Sequence, residues 1–234
     1  MATKKTKEAS SNMFSLEHFH RTYDTVTTPV TINGQTYGLF TPASIDRFIN
    51  PDDVMDNFPL WAKIWEASGV LAGHLAGIPP NPAKSILEIG CGLGMVGIAA
   101  ARAGHRITMT ENNPDALNFA RANALANGCP EMVIERLDWN APQLDGRFDM
   151  IVGSETVYKA RDIDGLEAMF DRYLNPGGTI ILAEGVRRTG VDFWDRMRSR
   201  YEVKARRQTL RSDQGTMHMV LFRLQRYAER QLEN

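Results

Sequence analysis

The strongest chemical signal in the chain is the segment Glu88-Ile89-Gly90-Cys91-Gly92-Leu93-Gly94. It joins a short apolar run to a stretch of small residues, the pattern of a strand turning through glycines into a helix. Glycines at such a turn let the backbone bend sharply and let a ligand approach the main chain. Read from Gly92, the segment also satisfies G-x-G-x-x-G through Gly94 and Gly97, so a nicotinamide-dinucleotide site is one reading. Glu88 argues against it. A dinucleotide strand runs apolar into its first glycine and aims a helix N-terminus at pyrophosphate. A carboxylate two residues before Gly90 better suits a ligand with an ammonium group and no phosphate; the lesser alternative is a helix-capping carboxylate. Glu111, closing the next apolar run, can take two ribose hydroxyls in either class of ligand. Leu137-Asp138-Trp139-Asn140 offers a carboxylate for an adenine amino group and a ring beside its face. After a further apolar run, Ser154-Glu155-Thr156-Val157-Tyr158 sets an acid and a phenol three apart.

The remaining reactive side chains carry less. Cys129-Pro130 reads as an ordinary loop cysteine, and Cys91 as a small residue inside the glycine turn. The five histidines are scattered, and His18-Phe19-His20 alone is no metal site, so no metal is expected. Trp61 and Trp65 are four apart, which puts them on one face of a helix, with core packing the default. Trp139 lies in a loop at the carboxyl end of the expected sheet, where α/β proteins bind ligands. Trp194 sits in a C-terminal helix, as core or as lining on the substrate side.

The elements that must position these residues follow from periodicity and turn chemistry. Ser15 caps a short helix over residues 15–24. Thr25–Phe40 reads as a hairpin around Asn33-Gly34, the pair suited to a type I′ turn. Asp52 and Asp53 after Pro51 suit a helix start, and Trp61–Ala76 a longer helix. Strands are expected at Ser85–Ile89, Arg106–Thr110, Met132–Arg136, Phe148–Gly153 and Thr179–Glu184. Helices fall between them at Gly94–Ala103, from Asn113-Pro114 to Asn127-Gly128, and at Asp162–Leu174. Such alternation predicts a doubly wound parallel sheet with helices on both faces. Tyr201–Leu210 and Met217–Leu224 are joined by a turn without a helix, so they pair antiparallel.

Composition narrows the function classes. The chain has 234 residues, 43% of them hydrophobic, and a net charge of −1. That balance argues against a protein that coats nucleic acid. No apolar run reaches the ~20 residues of a membrane helix, and Met1–Asn12 reads as a solvated tail rather than a signal peptide. Two cysteines make no disulfide framework, which points to a reducing cytoplasm. Nine basic residues stand against three acids from Val186 to Arg211. This stretch is either a solvated face or a surface that steers an acidic partner.

Glu88-x-Gly90-x-Gly92-x-Gly94 resembles motif I of the seven-β-strand, Rossmann-like S-adenosylmethionine-dependent methyltransferases. Glu111 is similar to their ribose-binding acid, Asp138-Trp139 to their adenine-contacting pair, and Leu174-Asn175-Pro176-Gly177-Gly178 to the turn into their fifth strand. Within that family the chain resembles the protein-lysine methyltransferase-like branch. It does so through the Trp-rich segment Leu60-Trp61-Ala62-Lys63-Ile64-Trp65-Glu66-Ala67 and the acid-x-x-aromatic Glu155-Thr156-Val157-Tyr158. The likeness covers about Leu60–Leu224. It implies an α/β sheet of order 3-2-1-4-5-7-6 with the seventh strand antiparallel, a methyltransferase domain over 51–234, and a tail-and-hairpin extension over 1–50. It also implies S-adenosylmethionine as cofactor and S-adenosylhomocysteine as product. Cofactor contacts are implied at Trp65, Glu88, Gly90, Gly92 and Gly94, and at Glu111, Asn112, Asp138, Trp139 and Ser154. Glu155 and Tyr158 take the catalytic positions. Amino-methylating enzymes of bases and glutamine place Asn/Asp-Pro-Pro-Tyr where this chain has Ser154–Tyr158. The favoured acceptor is therefore a protein lysine, with a small amine as the alternative.

Overall fold

The computed structural model describes residues 14–53, 58–157, 160–185, 191–212 and 215–227. In chain order the elements are α1 (Leu16–Thr22), β1 (Thr25–Ile32), β2 (Gln35–Pro42), α2 (Glu66–Gly77), β3 (Ser85–Ile89), α3 (Met95–Arg102), β4 (Arg106–Glu111), α4 (Pro114–Ala126), β5 (Val133–Arg136), β6 (Phe148–Ser154), α5 (Ile163–Tyr173), β7 (Leu174–Gly185), α6 (Val191–Arg200), β8 (Tyr201–Ser212) and β9 (Gly215–Arg226). Seven strands form one sheet in the order β5-β4-β3-β6-β7-β9-β8, and β9 runs antiparallel to both its neighbours. Counted within the sheet this is 3-2-1-4-5-7-6, as expected.

Alternation along the strands separates two cores. Ile86 in β3, with Ile107 and Met109 in β4, packs against α2, α3 and α4, whereas Leu87 and Ile89 turn to the opposite face, toward α5 and α6. Helix α3 is built of small residues because it lies almost on the sheet. A Cβ on Gly97 would come within 2.3 Å of the Met109 side chain and 2.6 Å of Glu88 Oε2. A larger residue there would displace the Met109 and Glu88 side chains or lift the helix from the sheet.

The hairpin turns through Asn33 and Gly34 at φ 48° and 81°, the type I′ geometry. It is fastened to the main sheet layer by two asparagines one helical turn apart on α4. Asn123 accepts from the Phe40 N–H at 2.6 Å and donates to the Phe40 carbonyl at 3.1 Å. Asn127 repeats the pattern at Gly38, at 3.2 and 2.9 Å. The two amides thus pair with the open edge of β2 as a neighbouring strand would. Below them Phe19, Phe40, Phe48, Trp61 and Phe119 form an aromatic cluster.

The expected helix over Trp61–Ala76 is corrected. Leu60–Ala62 is a single 3₁₀ turn, Lys63 and Trp65 are extended, and the helix begins only at Glu66. Trp61 and Trp65 therefore do not share a helical face. Packing outweighs propensity here, because the Trp61 carbonyl rests on the glycine loop, 3.2 Å from the position of a Cβ on Gly92. The helix start expected at Asp52-Asp53 runs into residues 54–57, which lie outside the described residues.

Part of the basic stretch is paired with acids. Arg196 pairs with Asp164 and Glu167, Arg198 with Asp195, and Arg200 with Asp171. Among the described residues no helix is long and apolar enough to cross a membrane. Cys91 and Cys129 are free thiols.

Asn123 is fully buried and also donates to the Leu93 carbonyl at 2.9 Å. Truncating it leaves several backbone groups without partners. Asn123→Ala is expected to cost about 2 kcal/mol or more, a fall in Tm of ~4–8 °C for a chain of this size. A thermal melt within 1 °C of the parent would show that the asparagine ladder is not what holds the hairpin.

Candidate active site

β3, β4, β5 and β6 run parallel, so their carboxyl ends open on one edge of the sheet and the connections that follow them enclose a single cleft. The loop after β3 turns through Gly90, Gly92 and Gly94 at φ 62°, 51° and 84°, conformations that a side chain disfavours. The Cys91 N–H donates to the Thr110 carbonyl at 2.9 Å, which ties the loop to β4. At the end of β4 the Glu111 carboxylate gathers three backbone donors. Gly92 N–H meets Oε2 at 3.1 Å, and Asn112 and Asn113 N–H meet Oε1 at 2.8 and 3.1 Å. Burial raises the Glu111 pKa, opposed by those three hydrogen bonds.

The connection after β5 supplies the next wall. Asp138 Oδ1 accepts from the Asn140 N–H at 2.9 Å, forming a tight turn that presents Trp139. That ring covers the glycine loop: a Cβ on Gly90 would meet its Cζ2 at 3.5 Å. On the opposite side the Trp65 indole N–H donates to the Leu60 carbonyl at 2.7 Å. The cleft has a volume of about 510 Å³, and its wall includes Trp65, Gly90, Gly92, Glu111, Asn112, Asp138, Trp139 and Glu155. Eight of the residues singled out in the sequence thus converge on one space.

Three others, among the described residues, stand elsewhere. Gly94 turns away into the N-cap of α3. Ser154 lies behind the wall, its hydroxyl 2.8 Å from that of Ser68 in α2. Glu88 is 2% exposed and lies beneath the loop, between β3 and α3, with Oε2 buried and without a hydrogen-bond partner. Burial pushes its pKa up to about 8, against the Gly97 N–H and with the nearby Glu111 charge. Tyr158 lies outside the described residues.

Glu155 itself is held in a left-handed conformation, φ 53°, which a non-glycine residue adopts only where surrounding contacts enforce it. Those contacts come from β7. The Glu155 N–H donates to the Ala183 carbonyl at 2.9 Å, and its Oε1 accepts from the Gly185 N–H at 2.9 Å. Between them Glu184, 4% exposed, accepts at Oε1 from Thr156 N–H, Thr156 Oγ1 and Val157 N–H at 3.0–3.2 Å. Burial, and then the Glu155 charge, push the Glu184 pKa up to about 8. Glu88 and Glu184 therefore hold their protons at neutral pH. A carboxyl raised from 4.5 to about 8 in the fold stabilises most below 4.5, and that contribution is lost as pH rises through about 8.

Sequence reasoning missed Glu184 as anything more than the end of a strand. The available signal was an acid closing the otherwise apolar Ile180-Ile181-Leu182-Ala183. It also missed Lys63, Ser68, Arg136 and Arg161 on the cleft wall.

Comparison with known proteins bears on this arrangement. Residues 55–200 match the model of a family described as lysine methyltransferase. The protein N-lysine methyltransferase METTL21A of Danio rerio is 32% identical over 155 residues, 61% of this chain and 69% of that protein. The EEF1A lysine methyltransferase 3 of Mus musculus is 30% identical over 131 residues, 54% of this chain and 56% of that protein. Among solved structures, P. horikoshii TYW2 in complex with MeSAdo superposes with a TM-score of 0.56 at 16% identity, covering 86% of this chain and 72% of that one. At that identity the structural likeness speaks for the fold alone. The family match spans more than half of the sequence and takes in the glycine loop, Glu111, Asp138-Trp139 and Glu155: the chain belongs to the lysine methyltransferase family and is an S-adenosylmethionine-dependent methyltransferase.

Proposed function

We propose that the enzyme methylates the side-chain nitrogen of a lysine in a protein partner, with the cofactor in the cleft over the glycine loop. The observation that carries this reading is the placement of Glu155 on the wall of the same cleft as Glu111, Asp138 and Trp139. The cleft volume falls within the range of small-molecule sites. Glu111 is already oriented by three N–H groups and keeps lone pairs for ribose hydroxyls, with Asn112 beside it. Asp138 and Trp139 suit the amino group and face of adenine, and Gly90 and Gly92 allow close approach of the main chain. Trp65 closes the far side. Glu88 contributes from beneath the loop, as a protonated carboxyl that shapes the packing of β3 on α3.

When bound, the cofactor supplies a methyl group on a sulfonium, activated toward displacement, which leaves alignment and proton management to the protein. A free lysine has a pKa of about 10.4, so holding it neutral at pH 7 costs roughly 4.6 kcal/mol. A nearby carboxylate raises that pKa further. Glu155 therefore captures and orients the ammonium, and the proton leaves to water before transfer. Tyr158, outside the described residues, would offer a ring face that attracts a cationic amine by about 0.5–2 kcal/mol. The hydrogen bonds that Thr156 and Val157 donate to Glu184 keep this loop in place. The absence of a Pro-Pro pair after Ser154 supports an aliphatic amine over a planar amide, and the similarity to METTL21A supports a protein as its carrier. The free thiols support a reducing, cytoplasmic setting.

The function is tested by incubating the enzyme and tritiated S-adenosylmethionine with cell lysate, then digesting labelled bands for mass spectrometry. Methyllysine in a protein is the expected product; label confined to small molecules would replace the acceptor. Glu111→Ala is expected to weaken S-adenosylmethionine binding by about 1–3 kcal/mol, and an unchanged Kd by calorimetry would remove Glu111 from the site. Glu155→Gln should cut turnover at least tenfold, about 1.4 kcal/mol, while cofactor affinity holds. Tyr158→Ala should mainly raise the substrate KM. Near-normal turnover in Glu155→Gln would take the carboxylate out of the mechanism.

A further inference from the structure

We propose that Lys63 binds the carboxylate of the cofactor's amino-acid tail, so that the cleft selects ligands with an intact aminoacyl group. The inference rests on the reading of the cleft as an S-adenosylmethionine site. An adenosine held by Glu111 and Asp138 leaves a tail with two charges, an ammonium and a carboxylate. The carboxylate needs a cation, and three cationic side chains line the cleft: Lys63, Arg136 and Arg161.

Position separates them. Arg136 is spent at the ribose end, where its Nε donates to Asn112 Oδ1 at 3.1 Å, beside Glu111. Arg161 comes from the short turn that follows β6, on the acceptor side with Glu155. Lys63 lies in the extended link between Ala62 and α2. The Trp61 carbonyl, two residues before it, rests against Gly92, so Lys63 enters the cleft wall from the link that packs on the glycine loop.

Its ammonium is also prepared for an anion. Nζ lies 4.6 Å from the centroid of the Trp65 ring, and that ring is fixed by its own hydrogen bond to the Leu60 carbonyl. A ring face orients a cation without neutralising it. Among the described residues no carboxylate stands within ion-pair distance of Lys63. Lys63 lies between the two tryptophans of the Trp-rich segment, and the packing of Trp61 on the loop is what brings it to the cleft.

The test compares two ligands by calorimetry. Decarboxylated S-adenosylmethionine keeps the adenosine, the sulfonium and the ammonium and lacks only the carboxylate. The parent enzyme is expected to prefer S-adenosylmethionine by about tenfold, as a charge-assisted contact at a partly exposed site provides. In Lys63→Met both ligands should bind within twofold of each other, at the weaker value, and Lys63→Arg should restore most of the preference. The four affinities form a cycle that isolates the pairing of Lys63 with the carboxylate. A tenfold preference that survives in Lys63→Met overturns the inference, as does an equal loss of both ligands. A parent enzyme that binds both ligands without preference overturns it too, while leaving the cofactor site intact. A parent enzyme that binds neither ligand overturns the cofactor reading and this inference together.

Discussion

Three backbone N–H groups, from Gly92, Asn112 and Asn113, converge on the Glu111 carboxylate, and the shape of the cleft follows from that convergence. Gly92 belongs to the connection after β3, the two asparagines to the connection after β4. One side chain thus draws two neighbouring loops together. A buried charge costs several kcal/mol unless hydrogen bonds compensate it, and N–H groups in tight turns are themselves costly to leave unpaired. Each requirement meets the other here. The glycines make the arrangement possible because only a backbone without Cβ can expose its N–H groups in this conformation beside Trp139 and the Trp61 carbonyl.

The two flanks of the cleft are held by different means. On the side of Glu155, β7 acts as a clamp: Ala183 and Gly185 bind Glu155, and Glu184 between them binds Thr156 and Val157. This holds Glu155 in a left-handed conformation that its own backbone disfavours. Glu184, protonated by burial and by the charge of Glu155, keeps a second negative charge from forming beside the first. On the other flank a 3₁₀ turn and an extended link replace a turn of helix, lay the Trp61 backbone against the glycine loop and bring Lys63 and Trp65 to the cleft wall.

The legible parts of the sequence were those governed by local rules. Asn33-Gly34 specifies its turn, Asn113-Pro114 starts its helix, and the strand-helix alternation dictates a parallel sheet with an antiparallel close. The glycine loop, Glu111 and Asp138-Trp139 were legible because their residue types have few other uses at strand ends. What escaped was set by long-range packing. Nothing local indicates that Trp61 leaves the helix to cover Gly92. Glu88 looks from its position like a ligand contact, yet the alternation of β3 turns it beneath α3. Glu184 is an unremarkable strand terminus until β6 and β7 are side by side, when it becomes the anchor of the loop that carries Glu155. Asn123 and Asn127 likewise read as ordinary helix residues until β2 lies against them.

The central claim is that the Glu111-centred cleft holds the cofactor with its reactive end toward Glu155. A crystal structure with S-adenosylhomocysteine tests it most directly. The account predicts ribose hydroxyls within hydrogen-bonding distance of Glu111, adenine between Asp138 and Trp139, and the sulfur facing the space bordered by Glu155. Ligand density outside this cleft, or a ribose turned away from Glu111, would contradict it.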